Sequence, residues 1–213
     1  MADSVLSLSL LEARVLGTLV EKQRTVPDTY PLSVNALLAG CNQKTSRNPV
    51  IETSEGEILQ AIDRLKDLAL VREVSGSRVS RFEHCLERGL GVPTQAAALL
   101  TVLMLRGAQT AGELRLNCDR LHRFADISSV EAFLEELAGR PAGALVIELP
   151  RQPGSRENRW MHLLSRQPEI EAALPGKSPG AAASEFEELR SRVTALEAEM
   201  AELRGLLLGR TGD

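Results

Sequence analysis

Behind Ser9 the apolar residues Leu11, Val15, Leu16 and Leu19 fall on one face of a helix, and behind Ser54 so do Ile58, Ile62, Leu65 and Leu68. Both stretches open on a Ser followed three residues later by a Glu. In that pairing the hydroxyl accepts from the third helical amide while the carboxylate reaches back to the cap amide. The signature stands at Ser9/Glu12, Ser54/Glu57, Thr110/Glu113, Ser128/Glu131 and Ser184/Glu187, and it predicts five helix starts. After the Ser54 helix, LALVREVSGSRVSRFEH places two β-prone runs around Gly76, which reads as a hairpin.

The order helix, helix, helix, hairpin then returns. A helix over 94–106 precedes short helices opening at Thr110 and Ser128. ALVIELPRQPGSRENRWMHLL closes the set as a second hairpin with its tip near Pro153 and Gly154. Three helices backed by a two-stranded wing is the winged-helix plan. The expected fold is therefore mostly α with small β-hairpins, an α+β class. It comprises two tandem winged-helix domains at 8–88 and 92–165, a flexible linker at 166–183 and a C-terminal coiled-coil helix at 184–208. The linker expectation rests on QPEIEAALPGKSPGAAA, rich in Pro, Gly and Ala.

The two repeats differ in one place. From first-helix start to third-helix start is 45 residues in the first and about 34 in the second, and the excess falls on PDTYPLSVNALLAGCNQKTSRNP. Pro31 suits the start of a helix, Leu32, Ala36 and Leu37 suit a core, and 42–49 reads as a polar turn ended by Pro49. The tail carries Phe186, Leu189, Val193, Leu196, Met200, Leu203 and Leu207 at alternating spacings of three and four, an a/d seam. A solvated amphipathic helix competes with self-association there. The expectation is a homodimer through Leu189, Val193, Leu196, Met200, Leu203 and Leu207.

EARVLGTLVEK, YPLSVNALLAGCNQKTSRNPV, LRGAQTAGELR and PGSRENRWMHL resemble the YceH family of uncharacterised bacterial proteins, over about 9–165. The resemblance implies a tandem winged-helix fold in a bacterial protein, with no established activity and no assigned catalytic residues.

The chain has 213 residues and a net charge of -4, unevenly spread. Residues 1–90 carry 11 Lys and Arg against 12 Asp and Glu, 91–166 carry 9 against 8, and 167–213 carry 5 against 9. No segment has the strong basic excess that would argue directly for nucleic acid. The start MADSVLSLSL lacks a basic leader region, and the longest apolar run, AAALLTVLML at 96–105, is too short to span a bilayer. Cys41, Cys85 and Cys118 are odd in number and far apart, which fits reduced thiols. The expected location is cytoplasmic, without membrane contact.

Catalytic chemistry finds little support in the sequence. Cys118 and His122 stand at i, i+4, but two ligands make half a zinc site, and no CxxC or HExxH accompanies them. GAQTAGEL has Glu113 where a phosphate-binding loop needs Lys, and Cys41 has no histidine in its repeat before His84. The expectation is a non-enzyme with no cofactor and no metal.

Nucleic-acid binding is the usual use of this plan, yet both third helices are acidic. Glu55, Glu57, Asp63 and Asp67 oppose Arg64 and Lys66 in the first, while Glu131, Glu135 and Glu136 stand in the second with no cation before Arg140. The candidate phosphate contacts lie elsewhere: Lys44 and Arg47 in the turn, Arg78 and Arg81 on the first wing with Arg72 nearby, and Arg151, Arg156 and Arg159 on the second. Arginines also decorate exposed hairpins simply to discourage edge pairing. The leading expectation is a binding protein that contacts double-stranded DNA through its wings and the 42–49 turn, as a regulator. The alternative is an adaptor or scaffold that grips a protein partner. One continuous basic strip would favour DNA, whereas cations paired with carboxylates would favour protein.

Overall fold

The structure, a computed structural model, describes residues 6–74, 79–151 and 154–165 and the single positions 192 and 200. It divides into two compact units, 1–170 and 171–213. In the second only Arg192 and Met200 are described, both helical. Leu189, Val193, Leu196, Leu203 and Leu207 lie outside the described residues, as do the 166–183 linker, the Ser184/Glu187 pair, Gly76 and Arg78.

The first unit opens with α1 (Leu10–Thr25), where both capping-box bonds form: Glu12 N–H donates to the Ser9 hydroxyl at 3.1 Å, and Ser9 N–H donates to Glu12 at 2.8 Å. After a single turn of 3-10 helix the chain makes β1 (Leu32–Ser33) and then α2 (Val34–Cys41). Pro31 does not start this helix. Leu32 pairs with Phe82 and Ser33 with Arg81, so the segment is spent on a sheet edge, and Ser33 caps α2 by accepting from Ala36 N–H. Leu32 and Phe82 are both buried by the pairing.

Helix α3 (Glu55–Asp67) carries the Ser54/Glu57 box and buries Ile58, Ala61, Ile62 and Leu65, spaced for one face. β2 (Val71–Val74) and β3 (Arg81–His84) then form an antiparallel hairpin, with Val71 opposite His84 and Val74 opposite Arg81. With β1 they make a three-stranded sheet in the order β1-β3-β2.

A short helix, α4 (Leu86–Leu90), leads into α5 (Thr94–Arg106), and α6 (Ala111–Asn117), α7 (Ile127–Ala138), β4 (Val146–Leu149) and β5 (Arg159–His162) follow. The last two pair antiparallel, Val146 opposite His162 and Leu149 opposite Arg159. Helix α7 starts two residues earlier than the Ser128/Glu131 pair implies. The Asp126 carboxylate caps it, accepting from Ser129 N–H at 2.7 Å and from the Ser129 hydroxyl at 2.6 Å. A negative cap at the positive end of the helix dipole is favourable, and it leaves Val130, Leu134 and Leu137 on the buried side.

The repeat survives in detail. In the first half the residue before the helix-capping Ser33 pairs with the second hairpin strand (Leu32 with Phe82). In the second half Gln109, just before the capping Thr110, bridges to Trp160 of β5. The halves nevertheless share one core. Helix α5 buries every residue from Ala96 to Leu105 and α1 buries Ala13 to Val20, so both are covered on all sides over these runs, and the two pack against each other. The edges of this body also meet, since Leu8 N–H donates to Leu164 C=O at 2.7 Å. No helix among the described residues is long and apolar enough to cross a membrane.

Candidate nucleic-acid interface

Of the proposed phosphate-binding cations, Arg47 and Arg159 line one recess, and each has a carboxylate partner. Arg47, expected on a solvent-facing turn, is drawn inward instead. Its guanidinium meets the Glu21 carboxylate through two bonds of 3.1 and 2.7 Å and donates also to the Gly40 and Ser46 carbonyls, with a side chain 0% exposed. Burial alone would raise the Glu21 carboxyl, but the Arg47 hydrogen bonds and charge, helped by Lys22, outweigh it and hold that carboxyl below its usual range. Behind it Arg14, also buried, donates to Cys41 C=O at 3.2 Å and Pro49 C=O at 2.6 Å. Asn42 closes the loop from the other side by bonding both backbone groups of Thr53. The long stretch that distinguishes the first repeat thus ends in a clamped loop whose one arginine, Arg47, faces inward.

The remaining cations divide into paired and unpaired. Arg72 bonds Glu83 across the hairpin, Arg159 stands 3.6 Å from Glu113, and Arg81 donates to the Thr29 and Pro31 carbonyls. Lys44, Arg151 and Arg156 are exposed with no ion pair among the described residues. The acidic residues of α3 and α7 named above stay exposed.

Catalytic geometry is no better assembled. Burial raises Cys118 to about 12, and its thiol donates to Ala98 C=O at 3.6 Å. Cys41 is raised by burial too and lies 3.7 Å from the Thr18 hydroxyl. His122 packs edge-on against Phe124, and His84 meets Gln23 at 2.9 Å. Among the described residues no three His, Cys, Asp or Glu side chains gather closely enough to hold a metal.

The profile of the family described as "Protein of unknown function, DUF480" matches residues 8–155. The chain belongs to the DUF480 family. Curated relatives carry the name UPF0502 protein. The one from Dechloromonas aromatica is 78% identical over 211 residues, covering 99% of each chain. Those from Burkholderia thailandensis and Burkholderia ambifaria are 61% and 60% identical, covering 96% and 94% of this chain and 88% and 86% of their own.

The DUF480 span contains cations that the sequence reading passed over. Arg106 ends α5, Arg115 lies on α6, and Arg120 and Arg123 stand in the turn after it. Arg123 pairs with Asp119 at 3.0 Å and Arg115 donates to Ala125 C=O. Arg106 reaches across to the other half, where its guanidinium donates to the Ser46 hydroxyl at 2.9 Å, and Asn48 N–H donates to Leu105 C=O at 2.8 Å. The run RLNCDRLHR was a visible signal for the α6 group. Nothing local in the sequence marks the meeting of Arg106 with Ser46.

Proposed function

We propose that this DUF480 protein is a non-enzymatic bacterial adaptor. In this reading the two repeats are winged-helix units, as the YceH likeness suggests, and they grip a protein partner, while the heptad segment sets a homodimer in the cytoplasm. The observation that carries the reading is the pairing of the candidate cations. Arg47 with Glu21, Arg159 with Glu113 and Arg72 with Glu83 each have a carboxylate partner, so these three are not free to displace counterions from a duplex. Acidic third helices point the same way, because they repel phosphates and suit basic or mixed protein surfaces. Leu59 on α3, 41% exposed among those charges, gives one such face an apolar contact point.

The second reading, double-stranded DNA bound by a regulator, is favoured by the exposed Lys44, Arg151 and Arg156 and by the repeated helix-and-hairpin plan.

Titration of random-sequence duplex into the full-length protein at low salt separates the two. No change in fluorescence anisotropy is expected. A saturable signal that weakens steeply with salt and loses slope in the Arg78→Ala/Arg156→Ala variant replaces the adaptor by the DNA reading. Photo-crosslinking from position 59 on α3 and position 131 on α7, in cells, is expected to give discrete adducts with another protein. Their absence from both positions removes the adaptor reading.

A further inference from the structure

Where the two repeats meet, the last turn of α5, the segment 46–48, residues of α6 and the first residue of β5 line a shallow, open polar recess of about 280 Å³. Three arginines line it, Arg106, Arg159 and the Glu21-paired Arg47, together with Asn48, Gln109, Asn117 and Glu113. Three features distinguish it from an ordinary solvated corner. Arg106 has a hydroxyl partner, Ser46, but no carboxylate within ion-pair distance among the described residues. Arg159 is held only at 3.6 Å by Glu113, a looser pair than Arg47 makes with Glu21. Gln109 is 5% exposed; its carboxamide oxygen accepts from Asn117 Nδ2 at 2.6 Å, and its Nε2 is buried without a hydrogen-bond partner. That bond joins Gln109 and Asn117, which both line the recess, in one polar wall. Beside it Gly107 has φ +76, and a Cβ there would lie 3.2 Å from Asn48 Nδ2, so glycine permits the close approach of the two halves.

We propose that this recess binds a small oxyanion, held between the guanidiniums of Arg106 and Arg159 with the Asn48 carboxamide as a further donor. The chemistry is that of a phosphate or carboxylate group, for which planar guanidinium donors supply strong charge-assisted hydrogen bonds. Donors come from both halves of the body, so the anion bridges the first repeat's loop to the second repeat's hairpin. The site stands independently of whether the larger partner is protein or DNA.

Trp160, the only tryptophan of the chain, exchanges two backbone hydrogen bonds with Gln109 and reports on the recess. The test is titration of the full-length protein with inorganic phosphate, and separately with citrate, following tryptophan fluorescence at constant ionic strength with chloride as the reference. A saturable change is expected, weakened at least about tenfold in Arg106→Gln. Glu113→Gln gives the opposite result: glutamine still serves the capping box at Thr110 but no longer competes for Arg159, so the anion binds several-fold more tightly. A response to phosphate alone assigns a phosphate-bearing ligand, and a response to citrate alone assigns a carboxylate. Displacement of bound phosphate by duplex DNA retains the site but ends the adaptor reading. A response equal to that of chloride overturns the proposal, as do unchanged affinities in both variants.

Discussion

Arg47 and Glu21 form a two-bond ion pair beneath the loop that joins α2 to α3, with the arginine side chain wholly removed from solvent. Removing one partner of such a pair strands the other as a buried charge, which costs more than the pair itself contributes. Glu21→Ala leaves Arg47 beside Arg14 with no carboxylate among the described residues bonded to either. The expected loss is about 3 kcal/mol in urea unfolding, with the slope of the transition unchanged. Because Glu21 is held below its usual range, its contribution is complete above the ordinary carboxylate pKa. It is lost as pH falls through the depressed value, so Glu21→Gln flattens the acid side of the stability profile.

His162 on β5 gives a second pH dependence with a separate window. Burial lowers it to about 4 from 6.5, so it stays neutral in the fold while the unfolded chain takes up a proton between those values. The depressed value means that stability is fullest above 6.5 and declines as pH falls toward 4, by about 3 kcal/mol in all. Chemical denaturation of His162→Gln across that range is expected to show a shallower decline than the unmodified protein.

Element order was readable in the sequence because it rests on local signals: hydroxyl–Glu pairs at Ser9, Ser54 and Thr110, and periodic apolar faces behind them. The signals that misled were local too. Pro31 suits a helix start, and only the pairing of Leu32 with Phe82, fifty residues away, makes the residues after it a strand. Ser128 and Glu131 have the right spacing, but Asp126 captures the cap first. The candidate site was less legible for a related reason. Charge type is printed in the sequence and charge partner is not, so Arg47 looked like a free surface cation until Glu21, 26 residues earlier, came to lie against it. Arg106 carries no local mark as the last residue of an apolar helix, although the fold brings it to Ser46.

Helices α1 and α2 touch at a contact that leaves no space. A Cβ on Gly40 would sit 2.6 Å from the Thr18 methyl, Cγ2, which is itself buried. Gly40→Ala is expected to destabilise the protein by roughly 1 to 3 kcal/mol through this overlap, despite the better helix propensity of alanine. Thr18→Ser deletes the methyl and keeps the hydroxyl that faces Cys41, at 3.7 Å. In a double-mutant cycle the serine change should recover most of the Gly40→Ala loss. A purely additive result would place the cost elsewhere.

The C-terminal heptads offer a test that depends on the sequence alone. Leu189, Val193, Leu196, Met200, Leu203 and Leu207 repeat at a/d spacing with Glu and Arg between them, the pattern that packs two helices along one seam. Three heptads give a short seam, so two central charges suffice to open it. Leu196→Glu together with Leu203→Glu is expected to lower the mass measured by light scattering from that of a dimer to that of a single chain. The circular-dichroism melt of the body, whose core draws on α1, α5 and their neighbours, should stay in place. A mass unaffected by both charges removes the heptad interface and assigns any self-association to the body.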